Sequence, residues 1–148
     1  MPSNALIDTN VPVYAGGGEH PLRAPCRAVL ALASEYPEAF VTDAEVLQEL
    51  LHRYIALRRW PQGQGVFEGF SVLMHDRIEP IQAGDVQMAA ALFPRHPQLS
   101  ARDLVHAAVM QRLGISLIIS ADQGFEGFPG IRRLDPARLA SWRRQVLA

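Results

Sequence analysis

Short unbroken apolar runs, alternating with longer stretches of helical period, constrain this chain more than any other feature. Ala5-Leu6-Ile7 stops at Asp8-Thr9-Asn10, Ala39-Phe40-Val41 leads into Thr42-Asp43-Ala44-Glu45, and Ile115-Ser116-Leu117-Ile118-Ile119 ends at Ser120-Ala121-Asp122. Runs of three to five residues with little polar alternation suit strands buried on both faces, as in a parallel sheet covered by helices. The intervening segments carry the helical period. His20-Pro21 opens one that runs to about Ser34. Thr42-x-x-Glu45 has capping-box spacing before Val46, Leu47, Leu50, Leu51, Tyr54 and Ile55, with Trp60-Pro61 as its stop. Val66 to Met74 suggests a further helix, and Ile78 to Ile81 a strand that Pro80 confines to an edge. Gly84-Asp85 and Ser100-Ala101-Arg102-Asp103 begin two more helices, Gly114 closing the second. Ile131 to Leu134 is a last strand before a terminal helix from Asp135-Pro136. Asp8-Thr9-Asn10 reads as a polar turn. The pattern predicts an α/β three-layer sandwich, a mostly parallel sheet flanked by helices, with residues 1–148 as a single domain.

Composition narrows the chemistry. The 148 residues are 49% apolar, with 14 basic against 15 acidic side chains, which excludes a disordered or polybasic chain and makes any charge-based function local. No apolar run approaches the ~20 residues of a membrane span, and the first residues lack a secretory signal pattern, so the expectation is an unexported cytoplasmic protein. One cysteine, Cys26, allows neither an internal disulfide nor a cysteine-rich zinc site. All fourteen basic residues are arginine, which removes lysine-dependent mechanisms.

In an open parallel sheet, functional groups gather at the carboxyl ends of strands, near the point where strand order reverses. Asp8 and Asp122 are placed there. Glu49 and Asp103 lie on helices whose beginnings abut that edge, so all four acids can converge. Two unit charges ~4 Å apart repel by roughly 4 kcal/mol at an effective dielectric near 20, so such a cluster calls for a cation. Hard oxygen donors without cysteine or an HExxH motif select Mg²⁺ or Mn²⁺. Taken singly, each acid has a plainer reading: Asp8 and Asn10 as turn caps, Asp103 as a helix-dipole partner, Glu49 paired with Arg53, Asp122 as a loop cap. The joint pattern favours a site. Glu49-x-x-His52 and Asp103-x-x-His106 have the spacing of di-iron bundle ligands, but strand-like segments do not fit such a bundle, and both histidines are read as structural. The arginine-rich end, with Arg132, Arg133, Arg138, Arg143 and Arg144, suits either a phosphate backbone or a solvated helix face.

Four blocks then carry a likeness. Leu6-Ile7-Asp8-Thr9-Asn10, Glu45 to Tyr54, Ala101 to Ala108 and Ile119-Ser120-Ala121-Asp122 resemble, in order, the acidic blocks of PIN-domain ribonucleases, with the VapC-type toxins of bacterial toxin–antitoxin pairs the nearest in kind. The resemblance implies that Asp8, Glu49, Asp103 and Asp122 hold Mg²⁺ or Mn²⁺, with Thr9, Asn10 and Ser120 supporting them. Where many relatives carry another acid two residues after the fourth, this chain has Gly124, leaving Glu126 either as a substitute outer ligand or as plain surface. The resemblance further implies a metal-dependent endoribonuclease, homodimerisation and a small antitoxin partner. Arg102, Arg132, Arg143 and Arg144 are the RNA-binding candidates. Two other functions remain open at this point: a housekeeping PIN nuclease of RNA maturation, and a binding module that has lost catalysis. A phospho-acceptor receiver or phosphatase domain is disfavoured by Asn10 and the missing lysine.

Overall fold

The computed structural model describes residues 4–148. Five strands form one parallel sheet in the order β3-β2-β1-β4-β5: β1 (Ala5–Ile7), β2 (Phe40–Asp43), β3 (Ile78–Glu79), β4 (Leu117–Ile119) and β5 (Arg132–Leu134). The three central strands are buried along their whole length, which is why their sequences do not alternate. From β1 the chain builds outward to β2 and β3, then returns to the other side of β1 for β4. The order therefore reverses between β1 and β4, and the crevice of such a sheet opens at their carboxyl ends.

Helices cover both faces. Ala5 and Ile7 of β1 face a core shared with α1 (Asn10–Ala15), α2 (Arg23–Glu35), α3 (Ala44–Ala56), α4 (Trp60–Leu73) and α7 (Leu139–Leu147). Leu6 points the other way, onto Met110 of α6 (Ala101–Leu113), which packs beside α5 (Ala83–Leu92). This is the three-layer sandwich expected from the sequence. Among the described residues no helix is long and apolar enough to cross a membrane.

Several local expectations are revised. Asp8-Thr9-Asn10 is not a free turn, because α1 begins at Asn10, directly after the first strand. Trp60-Pro61 starts α4 rather than merely stopping α3: a proline in the first turn costs no hydrogen bond. The cap of α3 is Asp43, whose carboxylate accepts the Val46 N–H at 3.0 Å, while Thr42 lies in β2 and donates its hydroxyl to the Ile7 carbonyl. Ser100 caps α6 as expected, and Gly114 ends it at φ 70°. The parallel sheet also disposes of the di-iron alternative, which needs four long helices around its centre.

The α3–α4 hairpin depends on one close approach. A Cβ built on Gly63, which is buried, would overlap the Tyr54 ring, whereas Gly69 in the same helix faces open space. Helix propensity favours alanine at both, so the sign separates packing from propensity. Gly63→Ala should destabilise by about 1–3 kcal/mol through overpacking, and Gly69→Ala should stabilise by about 0.5–1 kcal/mol, as read by thermal or urea unfolding.

Candidate metal centre

The acids of the sequence pattern meet at the switch point. A cleft of about 460 Å³ is lined by Asp8, Glu49, Asp103 and Asp122, with Thr9 and Asn10 at its floor and Val13, Tyr14, Ala56 and Leu57 as an apolar wall; His52, Arg53 and Arg102 complete it. Asp8 follows β1 directly and its main-chain N–H continues the sheet by donating to the Ile119 carbonyl at 3.0 Å. Its side chain is buried and fixed on both oxygens. Oδ1 accepts the Thr9 N–H at 2.8 Å, and Oδ2 accepts the Ser120 hydroxyl at 2.7 Å and the Asn10 amide at 3.3 Å. The Asn10 amide also donates to Ser120 Oγ at 2.9 Å, while its oxygen accepts the Ala121 N–H at 3.0 Å. Ser120 Oγ takes the Asp122 N–H at 3.0 Å as well, so one hydroxyl links the ends of β1 and β4. Thr9 donates its hydroxyl to Glu49 Oε2 at 2.6 Å, tying α3 to the same floor.

Two further residues belong to this cluster. His106, one turn after Asp103 on α6, is wholly buried, and its Nδ1–H donates to Asp43 Oδ2 at 2.7 Å. Its Nε2 lies 3.7 Å from Asp8 Oδ1 and 3.9 Å from Glu49 Oε2, beyond hydrogen-bond reach, and has no other partner among the described residues. The reading of His106 as a satisfied structural histidine is thus half right: one nitrogen is satisfied, the other faces the acids. In the sequence Asp43 falls only within the capping-box spacing, yet it ends β2 at the sheet's carboxyl edge just as Asp8 follows β1 there. That shared position was the available signal. Glu126 lies elsewhere, exposed and paired with Arg133 at 2.7 Å, so it does not stand in for an acid at Gly124. Of the RNA-binding candidates, Arg102 lines the cleft beside Glu45; Arg132 bonds Gln145, and neither it nor Arg143 nor Arg144 lines the cleft.

Crowding shows in the proton affinities. Burial raises the Asp8 carboxyl above its ordinary value, with the His106 charge opposing. Burial, then the Asp8 and Asp122 charges, push Asp103 up to about 6. For Glu49, burial is outweighed by the neighbouring His106 ring and the Thr9 hydroxyl, which hold it below its ordinary value. Burial alone would strip the proton from His106, but Asp43, Glu49 and Asp8 together raise it well above the ordinary imidazole value. The donor chemistry fits a divalent cation. Asp8 and Glu49 offer oxygens that lie, with His106 Nε2, within 4.8 Å of one another, and Asp103 and Asp122 add hard oxygens from the same cleft.

Linkage gives a test of the crowding. From pH about 4 to 6, the folded chain keeps on Asp103 a proton that the unfolded chain, titrating near 3.8, has released, so this residue's contribution falls as pH rises through that window. In chelator above pH 7, Asp103→Asn should therefore be more stable than the natural protein, by on the order of 1 kcal/mol after solvent screening. The advantage should fade towards pH 4. A variant less stable at every pH would make Asp103 a helix-start residue only.

The PIN domain family matches residues 5–131. Ribonuclease VapC13 of Mycobacterium tuberculosis is 41% identical over 129 residues, covering 87% of this chain and 98% of that protein. Ribonuclease VapC23 of the same organism is 41% identical over 119 residues, covering 79% and 91%. Among solved structures, FitAcB from Neisseria gonorrhoeae shares the fold with a TM-score of 0.68 at 18% identity, over 91% of this chain and 99% of that one. VapC20 of M. tuberculosis, described as a sarcin-ricin loop cleaving toxin, does so with a TM-score of 0.64 at 20% identity, over 87% and 99%. With five parallel strands, its acids at the switch point and these relatives along most of its length, the chain belongs to the PIN domain family.

Proposed function

We propose that this protein is the endoribonuclease toxin of a bacterial toxin–antitoxin pair, cutting RNA phosphodiester bonds with Mg²⁺ or Mn²⁺ held by Asp8, Glu49, Asp103 and Asp122. The observation that carries the reading is the meeting of those four carboxylates in one cleft at the switch point. The 41% identity to proteins named VapC ribonucleases supports the substrate, and the toxin–antitoxin complexes among the fold neighbours support the partner. Working in the cytoplasm, it would act as one domain, since Trp142 and Val146 of α7 pack in the same core as β1.

The chemistry a bound ion supplies is activation of water and neutralisation of charge on the scissile phosphate. The chain's own groups do the rest. Thr9, Asn10 and Ser120 fix Asp8 and Glu49 through the hydrogen bonds above, so neither acid must reorganise when RNA arrives. Asp103 and Asp122 line the same cleft. Arg53 and Arg102 at the rim are permanent cations suited to the phosphates on either side of the cut. The apolar wall of Val13 and Tyr14 shields one side from water. The antitoxin partner is a small protein, and the toxin is a homodimer, for which Val86, Met88 and Phe93 are exposed apolar side chains on and just after α5.

Purified protein should cleave RNA with Mg²⁺ or Mn²⁺, stop in chelator, and lose roughly 100-fold or more of its rate on Asp8→Asn. Produced alone in bacteria it should arrest growth, the Asp8→Asn form should not, and the product of a small neighbouring gene should protect. Unimpeded growth with active protein would instead point to an RNA-maturation nuclease. Arg102→Gln should flatten the salt dependence of single-stranded RNA binding by about 0.7 in log–log slope, whereas replacing Arg143 and Arg144 should leave it unchanged.

A further inference from the structure

Asp43 lies outside the cleft, wholly buried at the end of β2, yet both its oxygens are committed to elements that carry site acids. Oδ1 accepts the Val46 N–H at 3.0 Å and so begins α3, where Glu49 follows ~9 Å further along the helix. Oδ2 accepts His106 Nδ1–H at 2.7 Å on α6, one turn after Asp103 and on the same helical face. One carboxylate thereby pins the helices on both sides of the cleft to a single strand end. We propose that Asp43 and His106 form a positioning pair that sets the separation of Glu49 and Asp103, so that divalent-ion affinity depends on a carboxylate that never faces the ion. The proposal rests on the nuclease reading for its choice of site.

The requirement is chemical as well as steric. Both contacts present a donor to Asp43, so the residue must accept on two sides at once. Asparagine has one acceptor oxygen and a donating NH₂, so it can serve both Val46 and His106 only if the ring takes the other tautomer, with Nδ1 accepting and its proton moved to the Nε2 that faces the acids. Serine keeps an oxygen for the cap and is too short to reach both partners. The ring that Asp43 orients is itself buried with Nε2 turned towards Asp8 and Glu49, so a tilt of His106 would disturb both acids together. Residues that orient groups around a metal commonly cost 10–100-fold in affinity or activity when replaced, roughly the size of effect expected here.

Mn²⁺ binding, by calorimetry and by electron paramagnetic resonance, and RNA cleavage should be measured for the natural protein, Asp43→Ser, Asp43→Asn and Val29→Ala. The last removes methyl groups from the buried face of α2, away from the cleft, and serves as a matched loss of stability. Asp43→Ser should bind Mn²⁺ about 10-fold more weakly and show a lower kcat at unchanged KM for RNA, with Asp43→Asn between it and the natural protein. Val29→Ala should bind Mn²⁺ normally at its lowered Tm. Natural Mn²⁺ affinity in Asp43→Ser, or an equal loss in Val29→Ala, would reduce Asp43 to a helix cap and overturn the proposal. If Asp43→Ser does not fold, the near-isosteric Asp43→Asn decides by the same criteria. A directly bonded nitrogen in the Mn²⁺ spectrum would make His106 a ligand and overturn it too. Mn²⁺ binding without RNA cleavage by the natural protein would sink the nuclease reading alone, leaving the pair to be judged by affinity.

Discussion

Everything at the functional end of this molecule answers to one electrostatic constraint, the cost of holding several carboxylates in one cleft at a partly dry sheet edge. Asp8 is the extreme case, buried with both oxygens satisfied by Thr9, Asn10 and Ser120. Hydrogen bonds lower the cost of ionising it but do not remove the repulsion from Glu49 and Asp103. The imidazole of His106, raised well above its ordinary proton affinity, places a positive charge against that cluster from below. Asp103, raised by burial and then by the Asp8 and Asp122 charges against the opposing His106 charge, is left at about 6.

The fold supplies the crowding at little cost to its core. A parallel sheet buried on both faces needs no polar residue along its central strands, so polar groups collect where the strands stop. Reversal of strand order between β1 and β4 opens the crevice, and the Thr42 hydroxyl on the Ile7 carbonyl holds β2 against β1 beside it. Because α1 starts only two residues after β1, Thr9 and Asn10 are held at the N-cap and first position of a helix rather than on a mobile turn. Their side chains can then serve as fixed donors.

How much of this was legible depended on whether the signal was local. The buried strands and the capped helix α6 could be read because burial on two faces, an N-cap serine and a closing glycine each leave a mark within a few residues. The helix α1 left none: it has six residues, contains Pro12 and runs into three glycines, so propensity argues against it and packing on α2 decides. Trp60-Pro61 was ambiguous in principle, since proline ends one helix as readily as it begins the next. The four acids were legible as a set through their placement relative to strands. The Asp43–His106 contact was not, because it joins positions 63 apart and only the folded chain brings them within 2.7 Å. Glu126 misled for the opposite reason: proximity in sequence to Asp122 suggested a shared site, but the short 3₁₀ turn after Asp122 carries it away to Arg133.

The arginines show why a nearly neutral chain can still handle a polyanion. With 14 basic and 15 acidic side chains there is no strong net field, so attraction for the RNA proposed as substrate would come from placement. Five arginines near the carboxyl terminus form the densest basic stretch, yet those whose contacts are defined serve the structure: Arg133 binds the Ser120 carbonyl and Glu126, and Arg132 binds Gln145. Arg53 and Arg102, isolated in the sequence, stand on the rim of an acidic cleft instead. A cation there does two things that a distant patch cannot. It offsets the negative field that would repel a phosphate from the carboxylates, and its planar fork meets phosphate oxygens bidentately, so it also orients the backbone. The density of charge along the chain is therefore a poor guide to where a nucleic acid would sit, and the position of single charges around the cleft a better one.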